Sequence, residues 1–234
     1  MFLNSYSNKG SSKVYIMKKI KKFVLFLHKF YKLLSINGAI EREIEMRIHP
    51  EKCCVSGKAY VIRSAREEDA EQLSEVRMKV DAETDYLDRE PGESFMSTEA
   101  FKKLILQDSE GGKRLFLVAD YEGEIIGFSR CEGSPLRRLS HKVEFGVAVL
   151  KKDWGYGVGR NMLETSINWA DANGVKKITL NVIETNEKAI ALYKRFGFET
   201  EGVLKYDKQL SDGRFFHTLL MSRIHPFLPR ECNN

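Results

Sequence analysis

The stretch KKDWGYGVGRNML, Lys151 to Leu163, sets Gly155, Gly157 and Gly159 on alternate positions directly before a segment patterned as a helix. Glycine serves where the backbone must approach something closely or adopt positive φ. A helix start exposes unpaired N–H groups and the positive end of a dipole. Together they predict an anion-binding turn with phosphate as its natural occupant. The alternative is an ordinary strand-to-helix turn, and the flanking segments have to separate the two.

Upstream, HKVEFGVAVL (141–150) reads as a strand, and Gly146 within it marks a bulge or a close backbone approach. Downstream, Val158, Met162, Leu163, Ile167 and Ala170 share one helix face, and Asn173-Gly174 closes the helix near Ala172. KKITLNVI is the next strand. Asn186 stands at a helix N-cap, followed by EKAIALYKRF with Ala189, Leu192, Tyr193 and Phe196 on one stripe. Two final strands, Thr200–Gln209 and Arg214–Met221, flank Ser211-Asp212-Gly213. Towards the N-terminus, YVIR from Tyr60 is a short strand and SAREEDAEQLSEVRMKV a helix. A polar loop with Pro91-Gly92 follows, then a short helix over Thr98–Leu106, and RLFLVAD and EIIGFSR form a hairpin. The order is β-α-α-β-β-β-α-β-α-β-β. Its central strand–helix–strand unit demands a parallel pair, and the hairpins demand antiparallel neighbours. The predicted fold class is α/β, a mixed α+β sheet of about seven strands with helices on both faces.

Charge divides the chain. Residues 1–59 hold 12 Lys/Arg against 4 Asp/Glu and so carry +8, while residues 60–234 hold 26 against 29 and carry −3. The main body therefore gives no reason to expect a nucleic-acid partner. The predicted organisation is a basic N-terminal extension (1–59), a folded domain (60–226) and a tail (227–234). Within the extension, Ile20, Phe23, Val24, Leu27, Phe30, Tyr31 and Leu34 follow helical spacing among lysines. The unbroken apolar run Phe23–Leu27 is too short for a secretory core or a membrane span. An appendage packed on the domain, or a translation start as late as Met46, is favoured over a membrane-surface helix at 17–35. Cys53, Cys54, Cys131 and Cys232 form no CxxC pair and no zinc spacing, which predicts a reducing, cytoplasmic compartment.

The glycine turn fits neither G-x-G-x-x-G nor G-x-x-x-x-G-K-[ST], and HExxH and G-x-S-x-G are missing from the sequence. The five histidines are scattered, so neither a metal nor a Ser/Cys nucleophile is expected.

Three features together resemble the GNAT family of acyl-CoA-dependent N-acetyltransferases. The family's [RQ]-x-x-G-x-[GA] turn falls on Trp154-Gly155-Tyr156-Gly157-Val158-Gly159, with Trp154 in place of Arg or Gln. The order of elements matches. NEKAIALYKRFGF, Asn186 to Phe198, is similar to the family's N-x-x-A-x-x-L-Y-x-x-x-G-F segment at every anchor. The resemblance spans about Tyr60 to Ile224.

It implies acetyl-CoA as cosubstrate, a primary amine as acceptor and no metal, and it allows a homodimer. It implies that backbone amides from Trp154, Gly155, Tyr156, Gly157, Val158, Gly159 and Arg160 hold the pyrophosphate. Side chains at Gly157 or Gly159 would keep the phosphates away. It implies that the pantetheine arm runs between strands that splay apart, against free N–H groups near Val147 and Val149, one of which could polarise the thioester carbonyl. Tyr193 is the expected general acid, since a phenol near 10 and a thiol near about 8.5 make proton transfer nearly balanced. Asn186 is expected to touch the arm, to cap its helix, or both. Glu144 is the leading candidate base, on the strand face opposite Val143, Phe145 and Val147, with His141 or a water chain as alternatives. The acceptor, a small-molecule amine or else a protein N-terminus or lysine, would meet residues 80–95 and 205–216. Of these, Asp81, Glu83, Asp85, Asp88, Glu90 and Glu93 make an acidic loop. A binding module without turnover is the non-enzyme alternative.

Overall fold

In a computed structural model of the chain, residues 47–110 and 113–226 are described, and they build one mixed sheet of eight strands. The 17–35 stretch, the 227–234 tail and Cys232 lie outside the described residues. The strands are β1 (Glu51–Val55), β2 (Lys58–Ser64), β3 (Leu115–Tyr121), β4 (Glu124–Gly133), β5 (Lys142–Val149), β6 (Lys177–Ile183), β7 (Glu199–Gln209) and β8 (Phe215–Ile224). The helices are α1 (Ala70–Glu83), α2 (Thr98–Ser109), α3 (Val158–Ala172) and α4 (Glu187–Arg195). Strand order is β1-β2-β3-β4-β5-β6-β8-β7, and every neighbouring pair is antiparallel except β5–β6.

The expectation of about seven strands omitted β1. It pairs with β2 through Ser56-Gly57, both at positive φ (52° and 80°), the geometry of a two-residue hairpin turn. The folded body therefore starts before Tyr60. Ile48 packs on the core, and its N–H donates to the Ser64 hydroxyl at 3.1 Å.

Alternation along each strand builds two cores. On one face, Tyr60, Leu117, Cys131, Phe145 and Leu180 pack under Met162, Leu163 and Ile167 of α3, with Tyr193 of α4 in the same cluster. On the other, Phe116, Val118 and Ala148 meet Leu73, Val76 and Val80 of α1 and Phe101 and Ile105 of α2. Gly146 makes no bulge. It sits opposite Arg130 in an unbroken β4–β5 register, and a Cβ there would meet nothing within 4 Å. Among the described residues, no helix is long and apolar enough to cross a membrane.

Burial pushes the Tyr60 phenol, the Cys131 thiol and the Tyr193 phenol each up to about 12, because their anions would lose solvation. The folded state thus holds these protons more tightly than the unfolded chain, where the ordinary values are 9.0 for the thiol and 10.0 for the phenols. Stability is retained below those values and falls as pH rises towards about 12. Each group adds a slope of up to ~1.4 kcal/mol per pH unit inside its window. Urea unfolding between pH 8 and pH 11.5 (roughly the span where these groups separate) should show a midpoint that declines from about pH 9 upward. A flat midpoint would contradict the burial of these protons.

Candidate active site

β5 and β6 stop pairing early. Their parallel register runs only from Lys142↔Lys177 to Glu144↔Thr179, although β5 continues to Val149 and β6 to Ile183. β8 holds β6 along its whole outer edge. A gap therefore opens between β5 and β6 towards their C-terminal ends.

The backbone direction at the gap follows from two bonds. Leu150 N–H donates to Ile126 O at 3.0 Å, so Leu150 and alternate residues before it point their N–H groups at β4. Val149 and Val147 point theirs the other way, towards the opening. The Trp154 indole N–H donates to Val149 O at 2.8 Å from that side. The Trp154 ring stacks on Tyr86 from the α1–α2 loop, with centroids 6.3 Å apart and planes 16° apart. In place of Arg or Gln, this position therefore holds an aromatic folded back over the end of β5.

At the mouth of the gap stands the start of α3. The helices α2 and α4 begin with side-chain caps, Ser97 accepting from Ala100 N–H and Asn186 from Ala189 N–H, each at 3.3 Å. α3 begins at Gly157 with φ +74° and no side-chain cap. Its first helical bond is Asn161 N–H to Gly157 O at 2.9 Å, so the N–H groups of Val158, Gly159 and Arg160 have no partner within the helix. With the Gly157 N–H, four backbone donors stand at the positive end of the helix dipole, a geometry chemically suited to an anion.

The three glycines are not alike. Gly155 (φ +86°) and Gly157 adopt positive φ, and a Cβ on Gly157 would lie 3.1 Å from Val55 Cγ2. Gly159 has ordinary φ, and its Cβ would meet Val149 Cγ2 at 3.8 Å, a normal contact. Only Gly159 is therefore unexplained by the protein itself.

Beneath the turn lie groups that sequence reading missed. Tyr60 Oη donates to Tyr156 O at 3.1 Å and accepts from Asn161 Nδ2 at 2.8 Å. Lys58 Nζ pairs with the buried Asp153 carboxylate and lies 4.3 Å from the Tyr121 ring centroid and 5.1 Å from that of Tyr156. The partner of Lys58 holds its ammonium above the ordinary lysine value. The only sequence cue to this group was Ser56-Gly57, a turn signal between two short extended runs.

Tyr193 and Glu144 lie on opposite faces of the sheet. Tyr193 is buried with the α3/α4 core, its ring 5.8 Å from Phe198, and its hydroxyl makes no hydrogen bond among the described residues. Glu144 is exposed on the α1/α2 face, directly across from Glu132, and makes no ion pair among the described residues. It lines a cavity of about 290 Å³ with Arg114, Glu132, Ser134, Lys142 and Thr179. Glu144 and Thr179 are the last pair before the strands part, so this cavity abuts the closed end of the gap. Glu132 is held by Arg130 at 2.6 Å, and Arg130 also grips Asp108 at 2.6 and 2.9 Å. Lys142 has no ion pair among the described residues.

The acidic loop is largely committed to the protein. Asp81 is buried and clamped by Arg89 at 3.0 Å through both oxygens. Glu83 accepts from Lys151 N–H at 2.7 Å, Glu93 from Glu90 N–H at 2.9 Å, and Asp88 pairs with Lys208.

Residues 62–220 match the family model described as an acetyltransferase (GNAT) domain. The chain belongs to the GNAT family of acetyl-CoA-dependent acyltransferases. It is 33% identical over 123 residues to the L-amino acid N-acetyltransferase AaaT of Escherichia coli, covering 51% of this chain and 72% of that protein. It is 36% identical over 102 residues to an N-alpha-acetyltransferase of Sulfolobus acidocaldarius, covering 39% of this chain and 60% of that protein. Among solved structures, a GNAT acetyltransferase from Streptococcus pneumoniae superposes with TM-score 0.69 at 26% identity, over 71% of this chain and 99% of the other. The acetyltransferase yncA from Salmonella typhimurium with its cofactor acetyl-CoA shares the fold, with TM-score 0.64 at 19% identity over 74% and 99% of the two chains.

The glycine geometry has a direct consequence for stability. Gly157→Ala forces a Cβ into a left-handed conformation and against Val55, and should cost about 1–2 kcal/mol or more in urea unfolding. Gly159→Ala should be neutral or up to about 1 kcal/mol stabilising, because it replaces glycine in a helix without strain. Equal losses at both positions would show that the two glycines do the same structural job.

Proposed function

We propose that the protein transfers the acetyl group of acetyl-CoA directly to the primary amine of a small molecule, with no acyl-enzyme, in a reducing cytoplasmic compartment. One observation carries the reading: the only parallel strand pair among the described residues opens beyond Glu144 and Thr179, and the uncapped start of α3 stands at the mouth of that opening. A pyrophosphate at the amides of Gly155 to Arg160 would direct the extended pantetheine arm down β5, past the N–H groups of Val149 and Val147. Asn186, already capping α4, would leave its amide nitrogen for the arm. The thioester would then reach the closed end of the gap, beside the Glu144 cavity.

There an amine enters from the α1/α2 face. Glu144 takes its proton, the nitrogen attacks the carbonyl carbon, and the Val147 N–H stabilises the developing oxyanion. The carbon–sulfur bond breaks, and Tyr193, reaching in from the other face, hydrogen-bonds the departing sulfur. Buried as it is, the phenol, at about 12, is a weaker acid than an ordinary tyrosine. Full proton transfer to a thiolate of ordinary pKa would then be uphill by roughly 5 kcal/mol. The same burial also raises the pKa of a thiolate released beside it, which narrows that difference.

For the acceptor, the cavity's charges favour an amine that also carries a carboxylate, such as an amino acid. Glu144 is its one uncommitted anion, since Arg130 occupies Glu132. Lys142 and Arg114 supply cations, the latter only 3.9 Å from an Asp108 already gripped by Arg130. A polyamine would meet those cations unfavourably. The L-amino acid N-acetyltransferase among the relatives supports this class, and the archaeal N-alpha-acetyltransferase supports a protein N-terminus as the second.

Free-thiol release from acetyl-CoA with amino acids, polyamines and short peptides as acceptors tests the assignment. Amino acids should be turned over best. Tyr193→Phe and Glu144→Gln should each lower kcat about 10²-fold or more, while calorimetry shows CoA affinity within a few-fold of wild type. Loss of affinity in proportion to kcat would remove both residues from the chemistry. Wild-type protein that binds no CoA at millimolar concentration would end the proposal.

A further inference from the structure

Glu51, Val55, Lys58 and Tyr60 all contact the glycine turn or the helix it opens, and the family match begins only at residue 62. Val55 packs beside Gly157, its Cγ2 3.1 Å from where a Cβ would stand, so that a side chain there would have to push it aside. Glu51 accepts a hydrogen bond from Thr165 of α3 at 2.8 Å. Tyr60 bridges the Tyr156 carbonyl and the Asn161 side chain, one on each side of the helix start. Lys58 pairs with Asp153 where the chain enters the turn, and its ammonium faces the Tyr156 ring in the middle of it. The Asp153 residue is 1% exposed, and its Oδ2 has no hydrogen-bond partner. Lys58 is therefore the sole cation balancing that carboxylate among the described residues.

An anion-binding turn made of backbone amides works only if those amides converge on one point. Glycine at Gly155 and Gly157 permits the required dihedrals and also permits many others. Something outside the turn must select among them. Lys58 and Tyr60 touch the turn at its entrance, its middle and its exit, and they come from a hairpin that is otherwise remote in sequence.

We propose that the β1–β2 hairpin is a buttress for the CoA-binding turn, with Lys58 and Tyr60 as positioning residues that hold the amides of residues 155–160 in their anion-binding arrangement. This rests on the assignment of that turn to the CoA pyrophosphate. The buttress sets affinity for the phosphates of CoA and leaves the acceptor cavity, on the opposite face of the sheet, untouched. It also stores a hazard. Removing Lys58 alone strands a buried carboxylate, which destabilises the fold for reasons unconnected with CoA.

The test separates these effects. CoA binding by calorimetry, KM for acetyl-CoA and for the acceptor, and Tm are measured on the full chain for wild type and four variants. Lys58→Arg should keep CoA affinity within about threefold of wild type. Lys58→Met should lower Tm and weaken CoA about tenfold or more. Lys58→Met combined with Asp153→Leu removes both charges and should regain Tm, while CoA binding stays weakened about fivefold or more. Tyr60→Phe, which loses one hydroxyl, should weaken CoA by a similar factor with a small change in Tm. In each case KM for the acceptor should stay within about twofold. Wild-type affinity in both the double variant and Tyr60→Phe would overturn the buttress and leave the function standing. Failure of wild type itself to bind CoA would overturn the function, and the buttress with it.

Discussion

β5 and β6 part company after three residue pairs, and the peptide groups left along the β5 edge need other partners. Val147 and Val149, whose N–H groups face the opening, are only half-buried, so water or a ligand can satisfy those donors. β6 keeps its full ladder with β8 on the other side. β5 keeps its ladder with β4. The opening is thus confined to one pair of edges inside an otherwise complete sheet. Its donors line one wall, and the indole of Trp154 already takes one carbonyl on that wall.

The helix that follows β5 is arranged around the same opening. Its amides remain free because its capping position is a glycine, where two other helices have a serine and an asparagine. A side-chain cap would compete with a bound anion for the same N–H groups. The orientation of these groups comes from Tyr60 and Lys58, both on the strand pair at the far edge of the sheet. That edge and the opening are joined through the α3 core, where Val158, Met162 and Leu163 are packed without exposure to solvent beyond 1%.

The sheet also separates the chemistry that is proposed for it. Tyr193 belongs to the face covered by α3 and α4, and Glu144 to the face covered by α1 and α2. A continuous sheet would keep two such groups from addressing one molecule. A split sheet lets an acyl group lie in the plane between them. The cavity beside Glu144 carries both signs of charge, and much of the neighbouring acidic loop is committed to Arg89, Lys151 and Lys208. In the proposed reaction, acceptor choice therefore falls to Glu144, Lys142 and Arg114 more than to the total acidity of residues 81–93.

Local features were readable in one dimension because they are set by neighbours a few positions apart. The α3 helix from Val158 to Ala172, the Asn186 cap and the glycines at the turn depend on periodicity, on short-range hydrogen bonds and on allowed φ. The strand–helix–strand unit made a parallel pair necessary. β1 was unreadable because EKCCV has no clean alternation and lies in a basic segment; it is a strand only because β2 gives it a ladder. Gly146 is compatible in sequence with either a bulge or a close backbone approach, because glycine in a strand has several uses, and only the unbroken register with β4 excludes the bulge. The supports of the turn join Lys58 to Asp153, Tyr60 to Tyr156 and Tyr60 to Asn161 across 95, 96 and 101 positions. The sequence by itself determined the elements from β2 onward, their order and the glycine turn, since each follows from local backbone preference. Only the tertiary structure decided where the parallel strands stop pairing, which faces carry Tyr193 and Glu144, and what holds the turn in shape, because those are contacts between segments that no local pattern encodes.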